Sequence, residues 1–208
     1  MSLAPTDYDF GKPSNYSFVE SITCSNEETR KVFIEAFGHM LNYNHEQAIA
    51  CFTKWTELDP NCAMAWGGSA NCVSSNYNWA PGLGSGHDAI QQAISVMDHC
   101  TELEKDLINA LSTRHSAEAR DAADPSVLNM GNSPELNVAF AEAMKPLYEK
   151  YSGNLDVTAI YVEALMNLKA WQLWDKDTKT GKITPADDNT CLLYTSPSPR
   201  DQRGSRMP

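Results

Sequence analysis

The sequence predicts an all-α fold, an α-solenoid of about seven helices arranged in antiparallel pairs. Three observations carry this. Apolar residues recur at helical spacing along most of residues 25–175, and no stretch alternates as a half-buried strand does. Turn residues and prolines interrupt the pattern at intervals of about one helix. Most of the connections they mark are short, which makes successive helices antiparallel neighbours.

The elements follow in order. Residues 1–24 combine Pro5, Gly11 and Pro13 with Tyr8, Phe10, Tyr16 and Phe18 at no helical spacing, and are expected to form an extended arm whose aromatics pack on the helices. Ser25-Asn26-Glu27-Glu28 fits a capping box, in which the Ser hydroxyl and the Glu carboxylate satisfy each other's orphan N–H groups. The helix it opens runs to about Asn42, with Val32, Phe33, Ala36, Phe37 and Met40 on one stripe. Asn44-x-x-Gln47 is a weaker box opening a second helix, apolar at Ala48, Ile49, Phe52 and Trp55. That helix stops at Asp59-Pro60, because proline has no N–H and suits the first turn of a new helix.

The third helix covers about Asn61 to Ser74, followed by a loop from Asn76 to Gly86. The fourth covers about His87 to Cys100. The capping box Thr101-x-x-Glu104 opens a fifth, to about Ala117. Residues 121–132 read as a linker. Pro134, suited to a first helical position, starts a sixth helix that ends before Ser152-Gly153-Asn154. The seventh runs from Leu155 to about Trp174, and 176–190 is expected to be a polar loop.

From Cys191 the composition shifts. Arg200, Arg203 and Arg206 fall in a stretch with Pro197, Pro199 and Pro208 and no apolar periodicity, resembling a translated sequencing-adapter tail. Residues 191–208 are therefore expected to be non-native or disordered, and the protein to continue beyond residue 190.

A repeat underlies the middle of the chain. The tetratricopeptide (TPR) pattern is W-x2-L-G-x2-Y, then A-x3-F, then P, over about 34 residues. Ala48 and Phe52 match its second part, Asp59-Pro60 its turn, and Trp66 with small Ala70 the opening of the next unit. Small residues let paired helices approach closely, the aromatic fills the space to the next pair, and pairs must stack because one cannot bury both faces. In the next unit Ala89-x3-Ala93 comes later than a period of about 34 residues allows, an excess that the Asn76–Gly86 loop accounts for, and Ala93 stands where an aromatic belongs.

Beyond the general repeat, Tyr43-Asn44-His45-Glu46-Gln47-Ala48, Asp59-Pro60-Asn61-Cys62-Ala63-Met64-Ala65-Trp66-Gly67, Asn76-Tyr77-Asn78 and Tyr161-Val162-Glu163-Ala164-Leu165-Met166-Asn167-Leu168 resemble a family of uncharacterised TPR proteins over roughly residues 30–175. The resemblance implies a right-handed TPR-like solenoid. It brings no established activity, and it implies further His-rich helices downstream.

Composition narrows the function. A formal charge of −11 lacks the basic face that sequence-independent nucleic-acid binding or docking on anionic lipid needs. An acidic solenoid can steer basic partners towards it. No run of 18 apolar residues exists, and the first residues lack a basic and then apolar leader, so a cytoplasmic protein is expected. The six cysteines form no C-x-x-C pair and are expected to be reduced thiols.

No catalytic set emerges. His45-Glu46-Gln47-Ala48-Ile49 begins like H-E-x-x-H, but Ile49 stands where the second ligand must be. His45 is expected to bond a neighbouring helix through its ring. His39, His45, Cys51 and Cys62 can in principle gather at a metal, yet none are paired at i, i+4, so they are expected to be packing residues. His99 and Cys100 are adjacent on a helix and do not face each other. Trp171 and Trp174 can line a pocket or belong to a core. The loop Asn76-Tyr77-Asn78-Trp79 is the candidate binding element, with the alternative that its aromatics plug the solenoid. The expectation is a non-catalytic scaffold holding a peptide or protein partner in its groove, with no cofactor. The alternatives are a metal-dependent protein whose site lies largely in downstream repeats, and a structural subunit of an assembly.

Overall fold

The structure is a computed structural model, and it describes residues 21–25, 27–74, 76–77, 86–117 and 134–186. Within them lie seven α-helices: α1 (Glu27–Leu41), α2 (His45–Leu58), α3 (Ala63–Val73), α4 (His87–Val96), α5 (Glu102–Ser112), α6 (Pro134–Lys150) and α7 (Leu155–Leu168). A 3-10 turn, Met97–His99, extends α4. Among the described residues the fold is all-α apart from one small hairpin, β1 (Trp174–Lys176) antiparallel to β2 (Ile183–Pro185), with Asp175 opposite Thr184. The N-terminal arm to residue 20 and the tail from 191 lie outside the described residues.

The sequence signals act unequally. Thr101 and Glu104 form the predicted capping box in both directions, the Thr hydroxyl accepting from the Glu104 N–H and the carboxylate from the Thr101 N–H. Asn154 caps α7 by accepting from the Asp156 and Val157 N–H groups. The Asn44 box does not form. No side-chain bond caps α2, and the Asn44 carboxamide turns back to His39 Nδ1 at 3.2 Å. The reason is the turn before it: Tyr43 takes a left-handed conformation (φ 59°) and the Asn44 N–H closes α1 on the His39 carbonyl.

Two further expectations are corrected. Helix α7 ends at Leu168, six residues before Trp174, and Trp171 follows with φ 63°. The expected polar loop is partly a hairpin. Asp177 accepts from the Lys179 and Thr180 N–H groups, and Gly181 (φ 72°) completes the turn, so local turn chemistry aligns the flanking strands.

Each helix packs on its successor, and α1 also touches α3 and α3 touches α5. The Asp59-Pro60 corner is held from several sides. The Asp59 carboxylate accepts from the Ser25 N–H at 2.7 Å, its carbonyl accepts from Cys62 N–H, and the Trp66 indole donates to the Pro60 carbonyl at 2.9 Å. The tip of the Phe52 ring meets α3 at Gly68: a Cβ there would come within 2.3 Å of the ring, so only glycine permits this approach. Phe33, Phe37, Phe52 and Trp55 stack edge-to-face and offset into one cluster. Glu104, 0% exposed, ties residues 21–25 to α5 by accepting from Thr23 N–H and hydroxyl as well as from Thr101. In the same N-terminal half of α5, Lys150 bonds Glu102 and Asp106, and the Tyr151 hydroxyl donates to Asp106, which docks α6.

Candidate functional site

The odd-numbered helices α1, α3 and α5 converge on an apolar groove, lined also by Phe52 of α2 and closed on its remaining side by α6 and α7. Phe33, Phe37 and Met40 come from α1, Met64 and Gly67 from α3, Leu107, Ile108 and Leu111 from α5, Phe140 and Met144 from α6. The stripes that a helical period predicted as core supply this lining. Methionines with few shape constraints alternate with rigid rings, a surface that can adjust to an apolar side chain. Gly67 keeps the floor low, since a Cβ there would meet only Ile108 and Leu111 at 3.8 and 4.0 Å.

One end of the groove is polar. Asn71 lines it, with its carboxamide oxygen accepting from Arg114 Nη1 at 3.4 Å and its nitrogen 3.4 Å from the Met40 sulfur. Arg114 is buried and its guanidinium lies 5.2 Å over the Phe140 ring. Burial drives its pKa down, and the charge of Glu163 on α7 opposes that. Glu163 also reaches Tyr43 and Cys72: burial first, then this carboxylate, raises the Tyr43 hydroxyl and pushes the Cys72 thiol well up. Tyr43 stacks on His45 with ring centres 5.8 Å apart, and Tyr77 stacks on Trp171 at 5.2 Å.

The residues singled out from sequence fall into three groups. Ala48, Phe52, Asp59 and Ala70 are buried structural positions, with Trp66 half-buried and Pro60 exposed at the corner. Of the loop, Asn76 is buried, and Tyr77 is half-buried under Trp171; Asn78 and Trp79 lie outside the described residues. Trp171 is itself 72% exposed, so its stack with Tyr77 is a surface clasp. His45 bonds the next helix as expected, its Nδ1–H donating to the Cys72 carbonyl at 3.0 Å, which leaves Nε2 a buried acceptor without a partner.

The thiols are poor nucleophiles. Burial pushes Cys51 and Cys100 to about 11 and Cys62 to about 12, so the thiolate is scarce at neutral pH. His99 is exposed while Cys100 is buried. Of the four residues considered for a metal, His39 and Cys51 come together, joined by Glu35; His45 and Cys62 are not in that group. Sequence inspection missed Glu35, and the signal was present: Glu35 and His39 are spaced i, i+4 on α1. Arg114 and Glu163 were missed because their proximity is purely tertiary.

No protein family, curated protein or solved structure matches the chain. No described helix is long and apolar enough to cross a membrane.

Proposed function

We propose that the chain is a TPR-like, non-catalytic scaffold whose groove receives an apolar anchor of a peptide or protein partner. One observation carries the reading: α1, α3 and α5, each in contact with the next past an intervening helix, also line an apolar hollow. The repeat signature at Ala48, Phe52, Pro60 and Trp66 supports a solenoid whose inner helices are α1, α3 and α5. A helical segment presenting apolar residues at i, i+3 or i+4, and i+7 suits such a groove.

Selecting helical peptides displayed on phage against the full chain tests this. Enriched peptides share apolar anchors at that spacing, and Gly67→Leu, which projects a side chain into the groove, weakens them by roughly tenfold or more, a difference of about 1.4 kcal/mol. Enriched peptides that bind a folded Gly67→Leu variant equally well would overturn the proposal.

A further inference from the structure

A second site lies between α1 and α2. We propose that Glu35, His39 and Cys51 bind a zinc-class divalent cation, with Asn44 and Gln47 holding the ligands in place. One oxygen of Glu35, one ring nitrogen of His39 and the Cys51 sulfur all lie within 4.8 Å of one another, with Glu35 Oε1 4.0 Å from His39 Nε2. Ligands bound tetrahedrally at about 2.0–2.3 Å sit roughly 3.3–3.7 Å apart, so shifts of about 1 Å close the set. Carboxylate, imidazole and thiolate together suit a borderline ion of the zinc class better than magnesium or calcium.

The placement follows from the fold. Glu35 and His39 project from one face of α1 because they are i, i+4. The Cys51 sulfur comes from the facing α2, one turn after Gln47. His39 and Cys51 are buried, while the Glu35 side chain keeps 16% exposure and gives the ion its entry. Asn44 meets the other ring nitrogen, Nδ1, at 3.2 Å. The carboxamide nitrogen is the atom that faces the ring; a turn about the Asn44 Cβ–Cγ bond on metal binding brings its oxygen to an Nδ1–H and leaves the Nε2 lone pair for the metal, as outer partners of metal-bound histidines do. Gln47 hydrogen-bonds Cys51 in the sense that favours thiolate, against burial and the Glu35 charge, which hold the proton on.

A bound cation resolves that conflict. The ion displaces the Cys51 proton to solvent and a metal–sulfur bond forms, with no change of oxidation state. A 2+ ion with one thiolate and one carboxylate is a neutral unit, which lowers the cost of burying it. Water from the Glu35 side takes the fourth position.

Cobalt(II) titration of the full chain under reducing conditions tests the site. One equivalent is expected to give a saturable thiolate-to-cobalt band in the near ultraviolet and tetrahedral d–d bands in the visible, all displaced by zinc. Cys51→Ser abolishes the near-ultraviolet band, whereas Cys62→Ser preserves it. Glu35→Gln, at a partly exposed position that tolerates the change, weakens cobalt binding roughly tenfold or more while the far-ultraviolet circular dichroism is unchanged. No saturable band, a band that survives Cys51→Ser, or a folded Glu35→Gln chain with unaltered affinity would each overturn the assignment, the last even where Cys51→Ser fails to fold.

Discussion

The α1–α2 pair and the α6–α7 pair solve the same packing problem differently. Between α1 and α2, four aromatic rings interlock, and Phe33, Phe52 and Trp55 are among the most fully buried side chains. Between α6 and α7 the ring contact is a single tilted pair, Tyr148 on Tyr161, and α6 carries Pro146 in its interior. Among the described residues, five of the six exposed large hydrophobic ones, Val138, Leu155, Trp171, Trp174 and Ile183, lie in α6, in α7 or in the segment that follows α7. The difference teaches that the repeat signature and the rigid core coincide. Where the signature is clear, rings fill the space between helices. Where it fades, polar links such as Lys150 to Asp106 and the clasp of Tyr77 on Trp171 do more of the joining.

The comparison breaks most visibly by truncating rings. Trp55→Ala should cost about 3–5 kcal/mol, most of the stability of an ordinary domain, measured by denaturant unfolding. An equal loss from Tyr148→Ala would erase the contrast, since Tyr148 is only partly buried.

Acid should act next. Burial, with Arg114 and His87 nearby, pushes His115 down to about 3 from an ordinary 6.5, and its Nε2 lies 3.2 Å from the Ser74 hydroxyl. The unfolded chain therefore binds the extra proton between these values. Stability is fully present above pH 6.5 and is lost as pH falls towards 3, by on the order of 3 kcal/mol at pH 4. His115→Gln should flatten that part of the pH profile of unfolding free energy; an unchanged slope would place the acid sensitivity elsewhere.

Two neighbouring glycines sharpen the contrast on one helix. Gly68→Ala forces Phe52 aside and should destabilise by about 1–3 kcal/mol. Gly67→Ala has room and gains helix propensity, so it should stabilise by up to about 1 kcal/mol. Opposite signs in paired thermal melts are the expected result. Smallest of all, Trp171→Ala should cost no more than about 1 kcal/mol, since it removes one exposed stack and leaves the left-handed backbone as it is. Its clearer readout is faster hydrogen exchange at Tyr77.

Much of this architecture was legible residue by residue. Seven helices follow from apolar period and from chemistry that acts locally: Thr101 with Glu104, Asn154, and the Asp59-Pro60 corner. What escaped was decided across the fold. Asn44 looked like a cap but finds His39. Nothing in the residues before Trp174 marks a stop: α7 closes at Lys169, which is no glycine, and the left-handed turn that follows is taken by Trp171. The groove is invisible in sequence for a related reason: its phenylalanines and methionines have the spacing of any core stripe, and only packing reveals that they leave a hollow. Glu35 with His39 reads as an ordinary helical pair until α2 brings Cys51 beside it.

The groove is tested most directly by methyl NMR of the methionines while a selected helical peptide is added. Met40, Met64 and Met144 line the hollow, and Met97, in the turn after α4, does not. Saturable shifts at the first three with Met97 unmoved are the predicted result. Binding that shifts Met97 and leaves Met40, Met64 and Met144 in place would contradict it.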